Sequence, residues 1–206
     1  MKPTEYLAAI GLITLISIVG CAGLHVGQQV QSGRNALQSG RPNDAVVPLA
    51  QAAETDPDYE IPYRIHVSVL TYLGRAYYET GKYQEARSVL EKAVGRNKED
   101  RLERVYLGLT LIREREQERG RKEIEAGIKG IHEDLEYIAA DNINGIFWDP
   151  ARSIRSAIET TLATKTDDSI LVASAEQIGV SFDEEIDKAR RDEGRFRAGR
   201  GAGGGS

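Results

Sequence analysis

Cysteine is nearly absent from this chain, whose 206 residues include one, at position 21. A single cysteine excludes an internal disulfide and a thiolate metal cluster. Histidine is also scarce, and His25, His66 and His132 lie too far apart in the sequence to form a metal-ligand pair at helical spacing. The chain has no excess of positive charge either, since its formal net charge is -5. General affinity for nucleic acid requires a basic surface that releases counterions, so no nucleic-acid partner is expected.

The short motifs that mark common active sites are also missing. The sequence contains no Gly-rich phosphate loop of the GxxxxGK type and no HExxH, CxxC or GxSxG. Its acidic residues fall almost entirely on charge-mixed helix faces, and the pair Asp167-Asp168 fits a helix start before Ser169. We therefore expect a non-catalytic protein that uses no metal and no cofactor.

The amino terminus carries a markedly apolar stretch. A short head with Lys2 precedes an apolar run from Tyr6 to Gly20. This run of about 15 residues would form roughly 22 Å of helix, which is less than the ~20 residues that span a bilayer comfortably. The length is typical of the core of a signal peptide, although Glu5 weakens the basic head.

The last four residues of this stretch resemble the lipobox of bacterial lipoproteins: Ile18, Val19, Gly20 and Cys21. In such proteins a small residue before the cysteine admits the signal peptidase, and the thiol accepts a diacylglycerol. The resemblance implies that residues 1–20 are a signal peptide, that Cys21 becomes the acylated amino terminus, and that residues 21–25 form a tether. Two or three acyl chains anchor a protein stably. Ala22 at the next position favours the outer membrane, on its periplasmic side.

Two other interpretations of this stretch stay open. Cys21 can be an ordinary buried cysteine, or residues 6–20 can form an uncleaved membrane anchor. A single cysteine that ends an apolar leader in this four-residue context favours the lipoprotein.

A repeated pattern follows the leader, and residues 67–100 show it best. Gly74 suits a close approach of two helices, and Gly81 suits a helix end. The later alanines and leucine recur at helical spacing and form one apolar stripe. On a frame of about 34 residues the pattern resembles the tetratricopeptide repeat. The matching positions are Leu73, Gly74, Tyr77, Gly81, Tyr83, Ala86, Leu90 and Ala93.

Two further copies flank this one. Residues 26–59 fit the same frame, with Pro48 inside the second predicted helix, where it predicts a kink. Residues 60–66 separate the two copies and are expected to lengthen the next helix, with Pro62 in its first turn. A degenerate copy covers residues 101–133. Its matches are Leu107 and Gly108 in the first helix and Ile124, Ile128 and Ile131 in the second, an alignment that makes this copy one helical turn longer than the standard repeat.

The resemblance implies an all-α fold in which antiparallel helix pairs form a short right-handed superhelix over residues 26–133. Three repeats are about the minimum that buries a continuous core, so the array is expected to need a cap. Residues 134–193 are predicted to form this C-terminal helical cap. Residues 194–206, rich in glycine and arginine and without an acid, are predicted to stay unfolded or to be partly an engineered linker.

Several features place helices in the cap. Asp149 and Pro150 are expected to begin one, as N-cap and first helical residue. Another is expected over residues 169–178, and a last one from Ser181, whose spacing to Glu184 is that of a capping box. The apolar cluster of Ile146, Phe147 and Trp148 could pack on the last repeat or meet a partner. Packing into the core is favoured, since the only tryptophan of a small domain usually anchors its core.

Tetratricopeptide repeats bind peptides or helices of other proteins in a concave groove that their first helices line. The resemblance places six residues at the positions that face a partner: Arg34, Ser68, Thr71, Arg75, Tyr78 and Glu79. Arg34 and Arg75 are equivalent in their repeats and could form charge-assisted hydrogen bonds with a partner's carboxylates, or could be plain surface arginines. If they bind, Arg75→Glu is expected to abolish partner binding without lowering the melting temperature.

These features predict a membrane-anchored scaffold or assembly factor in the bacterial envelope, with protein partners. The alternative is a non-catalytic accessory subunit or regulator of a cell-wall or polysaccharide enzyme complex, which a basic tail that binds polysaccharide or anionic lipid would favour. A homo-oligomer through an uncapped repeat edge stays open.

Overall fold

The computed structural model describes residues 25–96, 100–141, 145–164 and 167–202. Residues 18–21, which resemble a lipobox, therefore lie outside the described residues. Within these ranges the chain forms eight α-helices and a short 3-10 helix, Gly145–Phe147, which confirms the all-α prediction. The α-helices are α1 (25–38), α2 (Pro42–Thr55), α3 (Val69–Glu79), α4 (Tyr83–Arg96), α5 (Arg101–Arg113), α6 (Gln117–Ala139), α7 (Ser153–Ala163) and α8 (Asp168–Ala202).

None of the helices in these ranges is both long enough and apolar enough to cross a membrane.

The first four helices form two pairs that pack through glycine. A Cβ atom on Gly33 of α1 would lie 2.4 Å from Cγ of Leu49 in α2. A Cβ atom on Gly74 of α3 would lie at the same distance from Cγ of Leu90 in α4. Both leucines are fully buried. Each glycine therefore allows the leucine of the second helix to reach the backbone of the first.

The third pair, α5 and α6, has the standard repeat length, which corrects the sequence alignment. A Cβ atom on Gly108 would lie 2.7 Å from the backbone nitrogen of Ile124. Gly108 and Ile124 are thus the counterparts of Gly74 and Leu90, at the same sequence separation. The sequence alignment had put Ile128 in this place, and the extra turn was wrong. Two registers fit the sequence of α6, because its isoleucines recur one helical turn apart. In the register that the structure shows, glycines rather than larger apolar residues occupy neighbouring buried positions.

The first helix of every pair ends in the same way. A residue in the left-handed conformation follows each one: Gly40 with φ 67°, Gly81 with φ 75° and Arg115 with φ 70°. Its amide and the next one donate to carbonyls of the last helical turn in all three, the pattern of the Schellman motif. Because an arginine replaces the glycine in the third pair, the sequence has no turn signal there.

The insertion between the first two pairs is a loop, so the predicted extension of the next helix was wrong. Glu60 and Ser68 form an isolated antiparallel bridge, and the amide of Ile61 donates to the carbonyl of Val67 at 3.1 Å. Pro62 lies in this loop. Ile61 and Val67 are buried, and this burial stabilises the turn of the chain against a straight helix.

Helix α7 begins at Ser153, later than the predicted start at residues 149–150. Asp149 has a φ of 42°, and its amide donates to the carboxylate of Glu185 in α8 at 2.7 Å. This contact turns the chain before the helix begins. The Asp149 carboxylate nevertheless accepts from the amide of Ile154 at 3.1 Å, so it still caps α7 from a few residues away.

One continuous helix, α8, replaces the predicted helix over residues 169–178 and the predicted new start at Ser181. Gly179 lies within α8 and does not end it. Its lack of a side chain allows α8 to pack closely on α5. A Cβ atom there would lie 3.3 Å from the hydroxyl oxygen of Tyr106 in α5. The glycine thus marks a contact between helices, which a sequence pattern cannot distinguish from a helix end.

The chain is helical as far as Ala202, although residues 194–206 had been predicted to be unfolded. The ring of Phe196 packs on that of Phe147, with centroids 5.5 Å apart. This contact holds the last turns of α8 in place. Extending a helix that is already formed costs less than starting a new one, so the composition of the tail alone does not decide its structure.

Trp148 confirms its expected place in the core. Its side chain is 1% exposed and stacks on Tyr63, with ring centroids 5.7 Å apart. Its indole Nε1 donates to the carboxylate of Glu193 in α8 at 3.1 Å. Trp148 therefore joins the insertion loop to the end of α8.

Candidate functional site

Helix α8 lies against the first helices of the three pairs, α1, α3 and α5, on the surface where a partner had been expected. We call this surface the groove face. The apolar side of α8 is buried here, through Leu171, Val172, Ala175, Ile178, Phe182, Ile186 and Ala189. The groove face is therefore covered by a helix of the chain itself.

Asp183 of α8 is at the centre of this contact, and its side chain is completely buried. Its Oδ1 accepts from the guanidinium of Arg34 at 2.8 Å and from the hydroxyl of Tyr72 at 2.8 Å. Its Oδ2 accepts from Arg75 at 3.1 Å and from the amide of Gln38 at 3.3 Å. We call these five residues the carboxylate clamp.

The clamp keeps a charged carboxylate inside the protein. Burial by itself raises the pKa of Asp183, but the guanidiniums of Arg34 and Arg75 outweigh it, and the pKa lies below the ordinary aspartate value. Arg34 also lies over the ring of Tyr72, 5.0 Å from its centroid. Each charge in the clamp thus has a fixed partner, which is the condition under which a buried ion pair is stable.

Two more carboxylates bind the same two arginines. Asp187, one turn after Asp183, accepts from Arg34 at 3.1 Å and from Gln38 at 2.9 Å. Glu79 accepts from Nε of Arg75 at 2.7 Å. Both carboxylates are only partly exposed, at 17% and 24%. The two arginines therefore meet three acids, two of them on α8.

Tyr78 contacts α8 at the other end of the groove face. Its hydroxyl donates to Glu176 at 2.5 Å and accepts from Nε of Arg113 at 3.2 Å. Beside this group lies an open cleft of about 470 Å³, whose lining includes Glu79 and Pro42. The cleft is a part of the groove face that α8 leaves uncovered.

Ser68 and Thr71 serve the structure of the repeats. The Ser68 side chain caps α3 by accepting from the amide of Thr71 at 3.1 Å. Asp100, the N-cap of α5, accepts from the amide of Ser68 at 2.9 Å and from the hydroxyl of Thr71 at 2.6 Å. These bonds join the starts of α3 and α5. Burial raises the pKa of Asp100 to about 6, although the donated bonds oppose this shift.

Glu103 is also a buried acid, but unlike Asp100 and Asp183 it lies in a place where the described residues offer no hydrogen-bond donor to its carboxylate. Its side chain is 1% exposed, and neither carboxyl oxygen has a hydrogen-bond partner among the described residues. Burial, with a smaller effect from the neighbouring Asp100, raises the pKa of Glu103 to about 9. At the equivalent position α3 has Val69, which is fully buried. Glu103 is therefore protonated at neutral pH, in a place that suits an apolar side chain.

A cluster of possible metal ligands lies between α6 and α7. Ligand atoms of His132, Glu136 and Glu159 are all within 4.8 Å of one another. Arg152 already binds both carboxylates, at 2.8 Å to Glu136 and 3.1 Å to Glu159. Since this guanidinium supplies the positive charge that a cation would bring, we assign the cluster to an ion-pair network.

The structure brings the six predicted groove residues to one surface and shows what they contact. Five of them are buried, with exposures from 0% to 6%: Arg34, Ser68, Thr71, Arg75 and Tyr78. The arginines do bind carboxylates, as expected, but those of α8. Arg75→Glu would place an acid beside Asp183, so on the structure we expect this variant to lower the melting temperature. Three residues of the clamp were not predicted from the sequence: Asp183, Tyr72 and Gln38.

Residues 36–106 match the family model of the tetratricopeptide repeat. The match runs from the end of α1 into α5 and includes Tyr72 and Arg75 of the clamp. This part of the chain is therefore a tetratricopeptide-repeat region, and such repeats serve protein–protein interaction.

No curated protein and no solved structure matches the chain.

Proposed function

We propose that this protein is a non-catalytic interaction scaffold, or assembly factor, held at a membrane of the bacterial envelope by an acylated Cys21. The observation that carries the proposal is a tetratricopeptide-repeat region whose groove face holds a charged, amphipathic helix. A surface of this kind binds helices through a few buried charges and a wide apolar contact. The proposed partners are other proteins of the envelope.

The lipobox supports the membrane anchor. Cys21 ends an apolar leader and follows Ile18, Val19 and Gly20. The described fold begins at residue 25, so only a few residues separate the proposed acyl chains from α1. Four extended residues reach about 14 Å. The anchor would therefore keep the repeats close to the lipid surface, on the periplasmic side of the outer membrane.

Labelling with palmitate tests the anchor. Cells that express the full chain should incorporate the label into this protein and retain it in the membrane fraction. Cys21→Ser should lose the label, and because the chain has no other cysteine, no second thiol can replace it. Unlabelled wild-type protein that fractionates with soluble periplasmic proteins would contradict the anchor.

Co-purification from detergent-solubilised membranes after cross-linking tests the scaffold function. Components of secretion, pilus or outer-membrane assembly machines are the expected partners. Recovery of glycan enzymes or glycan strands would favour the second candidate, a non-catalytic accessory subunit or regulator of a polysaccharide enzyme complex. That candidate is supported by the basic composition of the last part of α8.

A further inference from the structure

Beyond Ala189, α8 has a basic surface that faces solvent. Residues 188–200 contain six basic side chains and two acidic ones. At about 100° per residue, four arginines fall within less than half of the helix circumference, on the side away from Ala189. All four are exposed: Arg190, Arg191, Arg195 and Arg197. We call these arginines the basic end of α8.

Among the described residues, the arginines of this segment form only long, exposed ion pairs or none. Arg195 lies 3.6 Å from Asp192, and Arg197 lies 3.5 Å from Glu193, and both arginines are at least 70% exposed. Arg190 and Arg191 form no ion pair in the part of the chain that the structure describes. Exposed pairs at such distances contribute little to stability, so these arginines can bind an external anion at small cost.

The basic end of α8 and the start of α1 lie at the same end of the molecule. A Cβ atom on Gly27 of α1 would lie 3.1 Å from the hydroxyl of Tyr59. The carbonyl of Tyr59 accepts from the amide of Val69, the first residue of α3, at 2.9 Å. Arg64 of the same loop pairs with Glu193 of α8 at 3.5 Å. The start of α1 and the last turns of α8 therefore lie at the end of the molecule at which the first helices begin.

Exposed apolar side chains at this end lie on another side of α8. Phe196 is 40% exposed and contacts Phe147, and the adjacent Ile146 is 60% exposed. At about 100° per residue, Phe196 lies opposite the centre of the stripe that the four arginines form. The basic end of α8 is therefore a charged surface without an apolar side chain in it.

We propose that this end of the molecule lies on an anionic lipid surface, with the basic end of α8 on the head groups. The inference rests on the proposed function, because the acylated Cys21 would bring this end to the membrane. Each basic residue near an anionic bilayer adds to the attraction. The contact fixes the orientation of the protein, so that the start of α8 and its uncovered cleft point away from the lipid.

Vesicle flotation of the mature polypeptide, residues 22–206, tests the contact. This polypeptide keeps every described helix and carries no acyl chain, so the outcome does not depend on whether Cys21 is modified. We expect binding to vesicles that contain phosphatidylglycerol, weak binding to pure phosphatidylcholine, and release by high salt.

Two matched variants make the experiment specific. Replacing Arg190, Arg191, Arg195 and Arg197 by glutamine should lower the affinity for phosphatidylglycerol vesicles by at least about tenfold. The control carries the same change of charge at exposed lysines outside α8, namely Lys82, Lys92, Lys122 and Lys129, and should bind like the parent. Circular dichroism checks that both variants are folded. Equal affinity of the two variants, or a parent that ignores anionic lipid, would overturn the inference and leave the palmitate result untouched.

Discussion

The two halves of α8 use charge in opposite ways. In the half on the groove face, Asp183 is buried and all its hydrogen-bonding capacity is directed to residues of α1 and α3. In the half beyond Ala189, the arginines are exposed and hold weak or no partners within the described chain. The comparison shows that burial, rather than the number of charges, decides whether a charged residue fixes the fold or remains free to bind.

The largest effect is expected from Asp183→Ala, which leaves Arg34 and Arg75 buried around a cavity, without the carboxylate that they share. Removal of one member of a buried ion pair typically costs about 3–5 kcal/mol. The free energy of unfolding in urea should fall by this amount. Asp187→Ala is the control, since this partly exposed carboxylate should contribute about 1 kcal/mol or less. Equal losses in the two variants would show that the burial of Asp183 does not increase its contribution to the free energy of unfolding.

A medium effect of the opposite sign is expected at Glu103, the buried acid that has no hydrogen-bond partner among the described residues. Glu103→Val should raise the free energy of unfolding at pH 7 by about 1–3 kcal/mol, because it removes an unsatisfied buried group. Its counterpart Val69 shows that the position accepts valine. Urea denaturation at pH 7 measures the gain, and a loss of stability would contradict the assignment.

The pH dependence of stability gives a second measurement on Glu103. Its pKa is raised to about 9 in the folded chain, against an ordinary value of 4.5. Above that ordinary value the unfolded chain releases the proton while the folded chain retains it, so stability falls as the pH rises from about 4.5 to about 9. Glu103→Val should flatten this decline. Asp100, with its pKa raised to about 6, keeps a smaller decline at lower pH. The pKa of Asp183 is lowered instead of raised. The stability that its charged form contributes is therefore lost only as the pH falls below the ordinary aspartate value.

The smallest effects are expected at two of the glycines of α8, Gly179 and Gly194. No atom lies within 4 Å of a Cβ placed on Gly194. Gly194→Ala should therefore stabilise the helix by about 0.5–1 kcal/mol through helix propensity. Gly179→Ala should gain less, since its Cβ would lie 3.3 Å from the hydroxyl of Tyr106. Thermal unfolding of the two variants side by side measures the difference, and an equal gain would show that α8 is no more tightly packed at Gly179.

The repeats could be predicted because their packing is local in sequence. Gly74 and Leu90 lie within one helix pair, and the turn at Gly81 needs a residue that adopts a positive φ. The third turn escaped prediction, since Arg115 adopts that conformation without the glycine that announces it. The register of α6 failed for a related reason, because glycines occupy buried positions that the pattern assigns to larger residues.

The clamp could be predicted only in part. Arg34 and Arg75 stood out as equivalent positions, but their partner is distant in the sequence and had no motif of its own. One signal was present, since Asp183 follows Phe182 and precedes Ile186 within the apolar stripe of α8. An acid in such a place needs a buried cation. Which cation it meets depends on how α8 crosses the repeats, and that is a property of the assembled fold.

The bond between Arg34 and Asp183 joins residues that are 149 positions apart. Ordinary repeat arrays have contacts between neighbours only, so they can form stepwise and fray from either end. Here the last helix fastens the first repeat, and neither end can open without breaking the clamp. Translation from the amino terminus would leave Arg34 without its buried partner until α8 has been made, so this long-range contact can form only after both helices are present.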